Sequence, residues 1–154
     1  MTAAPSDVED PCKGAVVDAS VGIKLFLNES LSEEAHRLFA GLTAGPPGRL
    51  HVPDLFYIEC ASILWKYVER ARLPPEQAGA FVADLGGLAL RRTPMRELAE
   101  DALAIALALH ITTYDAAYVA LAAQLGLPLV TADARLAASV PETVCVVQVL
   151  GEMR

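Results

Sequence analysis

Cysteine is scarce and unpaired: Cys12, Cys60 and Cys145 are the three in 154 residues. They form no C-x-x-C pair, and no histidine stands at zinc-ligand spacing from them. That pattern excludes a disulfide scaffold or zinc module and fits a reduced, cytoplasmic protein. Long hydrophobic runs are also missing. The stretch "LAIALALHI" soon meets Asp115, well short of the ~18 uninterrupted apolar residues of a membrane span. The N-terminal "MTAAPSDVEDPCKG" is acidic, without the basic and apolar regions of a signal peptide, and residues 1–13 read as a flexible tail. Positive charge is short as well. Twelve Lys and Arg against nineteen Asp and Glu leave a net charge of −7, which argues against a broad basic surface that neutralises phosphates. The surplus carboxylates point toward metal ions or a basic protein partner, or simply toward a solvated acidic surface.

What is present is apolar residue in quantity. Hydrophobic residues make up 54% of the chain and charged ones 20%, a globular composition. A chain of this length buries about two-thirds of its unfolded surface, so residues 14–150 read as a single domain. Short apolar runs alternate with helical periodicity. "GAVVD", "RLHVP", "ALRRTP", "LPLVTAD" and "VCVVQVL" read as strands, the third of them short. Between them lie "VGIKLFLN", with Ser20 as N-cap, and "SLSEEAHRLFAGL", with Ser30 and Glu33 at capping-box spacing. The loop "TAGPPG" ends the latter. Further helices run from about Asp54 to Arg72, through "LPPEQAGAFVADLGGL", through "MRELAEDALAIALAL" and from Asp115 to Leu125, closed by Gly126. Such alternation predicts an α/β fold of three layers, α/β/α, around a central parallel sheet of four to five strands.

Ligands in sheets of this kind sit beyond the C-terminal ends of the strands. Asp18 stands where "GAVV" runs out and Asp133 where "LPLVT" runs out, so both are expected at one rim. Each also has a plain reading as the cap of the helix that follows. Asp115 opens a helix that is apolar nearly all round, and Thr112 three residues earlier makes it a candidate capping-box acid. Glu59, Ser62, Lys66 and Glu69 follow helical steps, which reads as a solvated stripe and equally suits a solvated cleft. Tyr114 and Tyr118 read as packing and rim residues. His36, His51 and His110 are isolated. Lys24, Arg91, Arg92 and Arg96 read first as solvated charges and second as phosphate contacts.

Three pieces of the chain together resemble the PIN-domain family: "VVDASVGIKLFL", the acid within "PDLFYIECASILWK", and "TTYDAAYVALAAQLGLPLVTADARL". The likeness spans about residues 14–150 and is strongest to the ribonuclease toxins of VapBC-type toxin–antitoxin pairs. It implies a metal-dependent endoribonuclease in which Asp18, Glu59, Asp115 and Asp133 bind Mg2+ or Mn2+. Thr131, the hydroxyl residue of "VTAD", would position Asp133 or a water. It further implies an RNA substrate and a small antitoxin protein with a basic segment, with "SILWKYV" offering apolar area for that partner or for a homodimer. In one respect the chain departs from the family. Many members carry another acidic or amide residue shortly after the last aspartate, and "ARLAAS" has none.

Magnesium takes hard oxygen ligands and keeps several waters, and an ion near a scissile phosphate activates water and neutralises developing charge. An acidic protein can hold a polyanion in this way. Two other classes with strand-end aspartates fit less well. A dehalogenase-like phosphatase needs an acid two positions after the first aspartate, where Ser20 stands; a phospho-accepting receiver needs paired acids at the first strand and a late lysine, which "VVDAS" and "VCVVQV" lack. An RNA-processing PIN nuclease without an antitoxin and an inactive PIN-like scaffold remain as alternatives.

Overall fold

The computed structural model describes residues 14–43 and 49–153. The expected tail, 1–13, and most of the "TAGPPG" loop lie outside the described residues. Five short strands form one parallel sheet in the order β3-β2-β1-β4-β5: β1 (Ala15–Val17), β2 (Leu50–Pro53), β3 (Arg91–Thr93), β4 (Leu129–Thr131) and β5 (Val147–Val149). The helices are α1 (Ala19–Gly22), extended by a 3-10 turn over Ile23–Leu25, α2 (Ser32–Thr43), α3 (Leu55–Glu69), α4 (Pro75–Gly86), α5 (Met95–Leu109), α6 (Thr113–Leu125) and α7 (Ala134–Ser139). This is the α/β architecture expected from the alternation of elements.

Both faces of the sheet are covered, because successive strand side chains point to opposite sides. Val16 and Leu129 join a core with Phe56, Leu64, Leu98 and Tyr118. Their neighbours Ala15, Val17 and Val130 join a second one with Ala35 and Phe39 of α2. The fully buried strands β1 and β4 lie inside the sheet, and β3, carrying exposed Arg91 and Arg92, lies at an edge, where charge discourages pairing with another chain. Helix α6 is buried from Ala116 to Ala122, as its all-round apolar sequence requires, and ends on Gly126 at φ 64. Among the described residues no single helix is long and apolar enough to cross a membrane, and α5 and α6 meet at a bend of 112°.

Two local expectations are corrected. Ser20 is not an N-cap: α1 begins one residue earlier, at Ala19, and the Ser20 hydroxyl is engaged with the neighbouring strand end instead. The Ser30–Glu33 capping box does not form either. Leu31 takes a left-handed backbone, φ 68, so α2 starts at Ser32, whose hydroxyl accepts from the Glu29 amide and donates to the Leu27 carbonyl. A glycine brings α1 against α3. A Cβ on Gly22 would sit 2.5 Å from the Phe56 ring, and Phe56 is fully buried, so no larger residue fits without separating the two helices.

Candidate acidic site at the sheet rim

The site is assembled by strand order. β1 and β4 are neighbours, with Val17 opposite Val130, and the Asp18 amide continues their ladder by donating to the Val130 carbonyl at 3.0 Å. Asp18 and Asp133 therefore leave the sheet side by side. Asp18 is only 6% exposed. It is the N-cap residue of α1 in an extended conformation, its carbonyl accepting the Val21 amide at 3.0 Å and the Gly22 amide at 3.1 Å, without a side-chain cap hydrogen bond, so capping alone does not account for its buried carboxylate. Asp133 does cap α7, accepting from the amides of Arg135 at 2.9 Å and Leu136 at 3.3 Å.

Hydroxyls fix Asp18. Thr131 Oγ1 donates to Asp18 Oδ2 at 2.8 Å and Ser20 Oγ donates to the same oxygen at 3.0 Å. Each hydroxyl also accepts an amide: Ser20 from Ala132 at 3.0 Å, Thr131 from Asp133 at 3.0 Å. An ionised carboxylate only accepts, so in these two bonds each hydroxyl directs its single proton to Oδ2, and the two hydroxyl oxygens lie 3.4 Å apart. Two consecutive amides thus orient two hydroxyls onto one carboxylate oxygen, and Oδ1 takes part in none of these bonds. Burial raises the Asp18 pKa against the pull of the two hydroxyls.

Glu59 lies on α3 and Asp115 in the first turn of α6. Ser62, Lys66 and Glu69 form an exposed stripe, whereas Glu59 leaves it and is half-buried. Its Oε2 accepts from the Tyr118 hydroxyl at 3.1 Å. Burial, aided by the charges of Asp18 and Asp115 and opposed by the Tyr118 bond, pushes the Glu59 pKa up to about 7. Asp115 is raised by burial and by the charges of Asp18 and Asp133. These mutual effects mean that carboxylates from four separate segments share one electrostatic field. Thr112 caps α6, accepting the Asp115 amide at 3.1 Å.

Among the described residues no three His, Cys, Asp or Glu side chains are gathered tightly enough to ligate an ion directly. The donor set still suits a hydrated divalent ion, because magnesium commonly takes one or two carboxylates and fills its octahedron with water. An open cleft of about 400 Å³ reaches Asp133 of the four acids, lined in part by Ser20, Ile23, Lys24, Glu29, Ile63 and Asp133. Lys24 is not a spare cation there: its Nζ donates to Glu29 Oε1 and to the Ser30 carbonyl, both at 2.9 Å.

The sequence profile of the PIN domain matches residues 15–140. The chain belongs to the PIN-domain family. It is 38% identical over 131 residues to Ribonuclease VapC3 of Pyrobaculum aerophilum, covering 84% of this chain and 96% of that protein. It is 38% identical over 121 residues to Ribonuclease VapC9 of Mycobacterium tuberculosis, covering 79% and 87% respectively. In fold it is similar to a chain of a toxin–antitoxin complex from Klebsiella pneumoniae, with TM-score 0.63 and 21% identity, covering 91% of this chain and all of that one. In this PIN domain the expected site residues Asp18, Glu59, Asp115, Asp133 and Thr131 lie at one rim. Ser20 and Tyr118 belong to the same cluster. The sequence assigns Ser20 to capping and Tyr118 to packing and the rim, and neither to the acid cluster; the signal available for Ser20 is its place two residues after a strand-end acid.

Proposed function

We propose that this PIN domain is a metal-dependent endoribonuclease, the toxin of a toxin–antitoxin pair. The observation that carries the reading is the convergence of four acids at the C-terminal rim, with Glu59 pushed up to about 7 by burial and by the charges of Asp18 and Asp115. A folded chain spends stability to hold like charges together, and a bound cation relieves that repulsion. The names of its VapC relatives agree with the ribonuclease reading.

Asp18, Glu59, Asp115 and Asp133 would hold Mg2+ or Mn2+, in part through water. When bound, the ion supplies an activated water and charge neutralisation at the scissile phosphate. The chain's own part is orientation. The hydroxyl pair presents Asp18 in a fixed rotamer, the α7 cap fixes Asp133, and the cleft beside Ser20 and Asp133 gives a substrate nucleotide room next to the acids. No protein nucleophile is required.

For partners, we propose a small antitoxin with a basic segment directed at the acidic rim, consistent with the net charge of −7. A homodimer would cover exposed apolar side chains such as Ile58 and Trp65 on α3 and Leu103 and Leu107 on α5, each more than half exposed. An inactive scaffold is disfavoured because all four acids are retained and brought together. The test is cleavage of single-stranded RNA by the purified chain. Mg2+ or Mn2+ should support it, EDTA should stop it, and Asp18→Asn should remove most of it, since an amide poorly replaces an anionic ligand. Cleavage that persists unchanged in EDTA or in Asp18→Asn overturns the proposal.

A further inference from the structure

Tyr118 combines two properties that a packing residue need not have. It heads the largest fully buried side chains of the described residues, at 0% exposure, yet its hydroxyl reaches the acid cluster and donates to Glu59 Oε2 at 3.1 Å. It also follows Asp115 by three residues, one turn along α6, so a single buried helix brings both an acid and a phenol to the same place. The ring belongs to the main core, the same buried cluster as Phe56, Cys60, Leu64 and Leu121. A ring held that way has no freedom to follow a wandering carboxylate; the carboxylate must come to it.

We infer that Tyr118 is a positioning residue for the ion site, holding Glu59 Oε2 so that Oε1 is the oxygen offered to a divalent cation. The inference rests on the reading that these acids bind such an ion. Outer partners of this kind fix the rotamer of a ligating carboxylate, and losing one weakens metal affinity by about 10- to 100-fold. The alternative is a core tyrosine whose hydroxyl has simply taken the nearest acceptor.

Calorimetric titration of Mn2+ into the metal-free full-length protein separates the two. Tyr118→Phe keeps the ring and its packing, and a cooperative thermal melt verifies the fold. The variant should bind Mn2+ about tenfold more weakly. It should also need correspondingly more Mn2+ for half-maximal RNA cleavage, with the rate at saturating Mn2+ close to wild type. In the double variant Tyr118→Phe, Glu59→Gln, affinity should be no lower than in Glu59→Gln alone, because the phenol acts through the carboxylate. Unchanged Mn2+ affinity in Tyr118→Phe, or a full additive loss in the double variant, overturns the positioning role while leaving the ion site standing. A wild-type protein that binds no Mn2+ overturns both the site and the inference.

Discussion

Asp18 is the residue around which the site is built, and its surroundings show how a buried carboxylate is kept usable. Burial alone raises its pKa, and the two hydroxyls on Oδ2 work against that. Ser20 is the less obvious of the pair. Replacing it with Ala removes a donor from Asp18 and strands the Ala132 amide, two hydrogen bonds lost with an unpaired donor left behind, at a cost of about 1–3 kcal/mol. The larger expected effect is functional: Ser20→Ala should reduce metal-dependent RNA cleavage about tenfold, as loss of an outer partner of a ligand does. Ser20→Thr, which retains the hydroxyl, should lose much less. Equal cleavage by wild type and Ser20→Ala would show that Thr131 alone is sufficient to hold Asp18.

Elements explain what was legible in advance and what was not. Strands and helices are readable because "GAVV" and "LPLV" are continuous apolar runs and α6 is apolar nearly all round, each a pattern that a single face of burial cannot produce. Strand order was not readable. Alternation implies parallel strands with acids at one end, but nothing within "GAVVD" or "LPLVTAD" says that these two strands are neighbours, and that adjacency is what lets Thr131 reach Asp18. The same limit applies to Glu59. Its helical spacing with Ser62, Lys66 and Glu69 suggests a solvated stripe, and only the approach of α6, bringing Tyr118 and Asp115, takes it out of that stripe. Ser20 misled for a local reason. A serine after a strand-end aspartate scores as a cap, and the competing partner, the Ala132 amide, lies 112 residues away.

The whole molecule makes its rim carboxyls costly to ionise, by burial first and by neighbouring charges second, and this gives a pH dependence with a definite sign. The Glu59 carboxyl is raised from an ordinary 4.5 to about 7, and Asp18 and Asp115 are raised in the same direction. Between those values the folded protein retains a proton that the unfolded chain has already released. Raising the pH through that window therefore weakens the fold. In EDTA the melting temperature should fall between pH 5.5 and pH 8, and Glu59→Gln should flatten the decline. A melting temperature that rises over this range would contradict the raised carboxyls. Mn2+ at pH 8 should reverse the loss, stabilising by about 2.7 kcal/mol when the free ion is a hundred times its dissociation constant.

All of this depends on four carboxylates from separate segments serving one divalent ion. Anomalous diffraction at the manganese edge from crystals of the wild-type protein grown with Mn2+ tests it most directly. The account predicts an anomalous peak at the rim among Asp18, Glu59, Asp115 and Asp133, with water completing the coordination, and no such peak in Asp18→Asn crystals. A rim without manganese at saturating Mn2+, or a peak of equal height in Asp18→Asn, would contradict it.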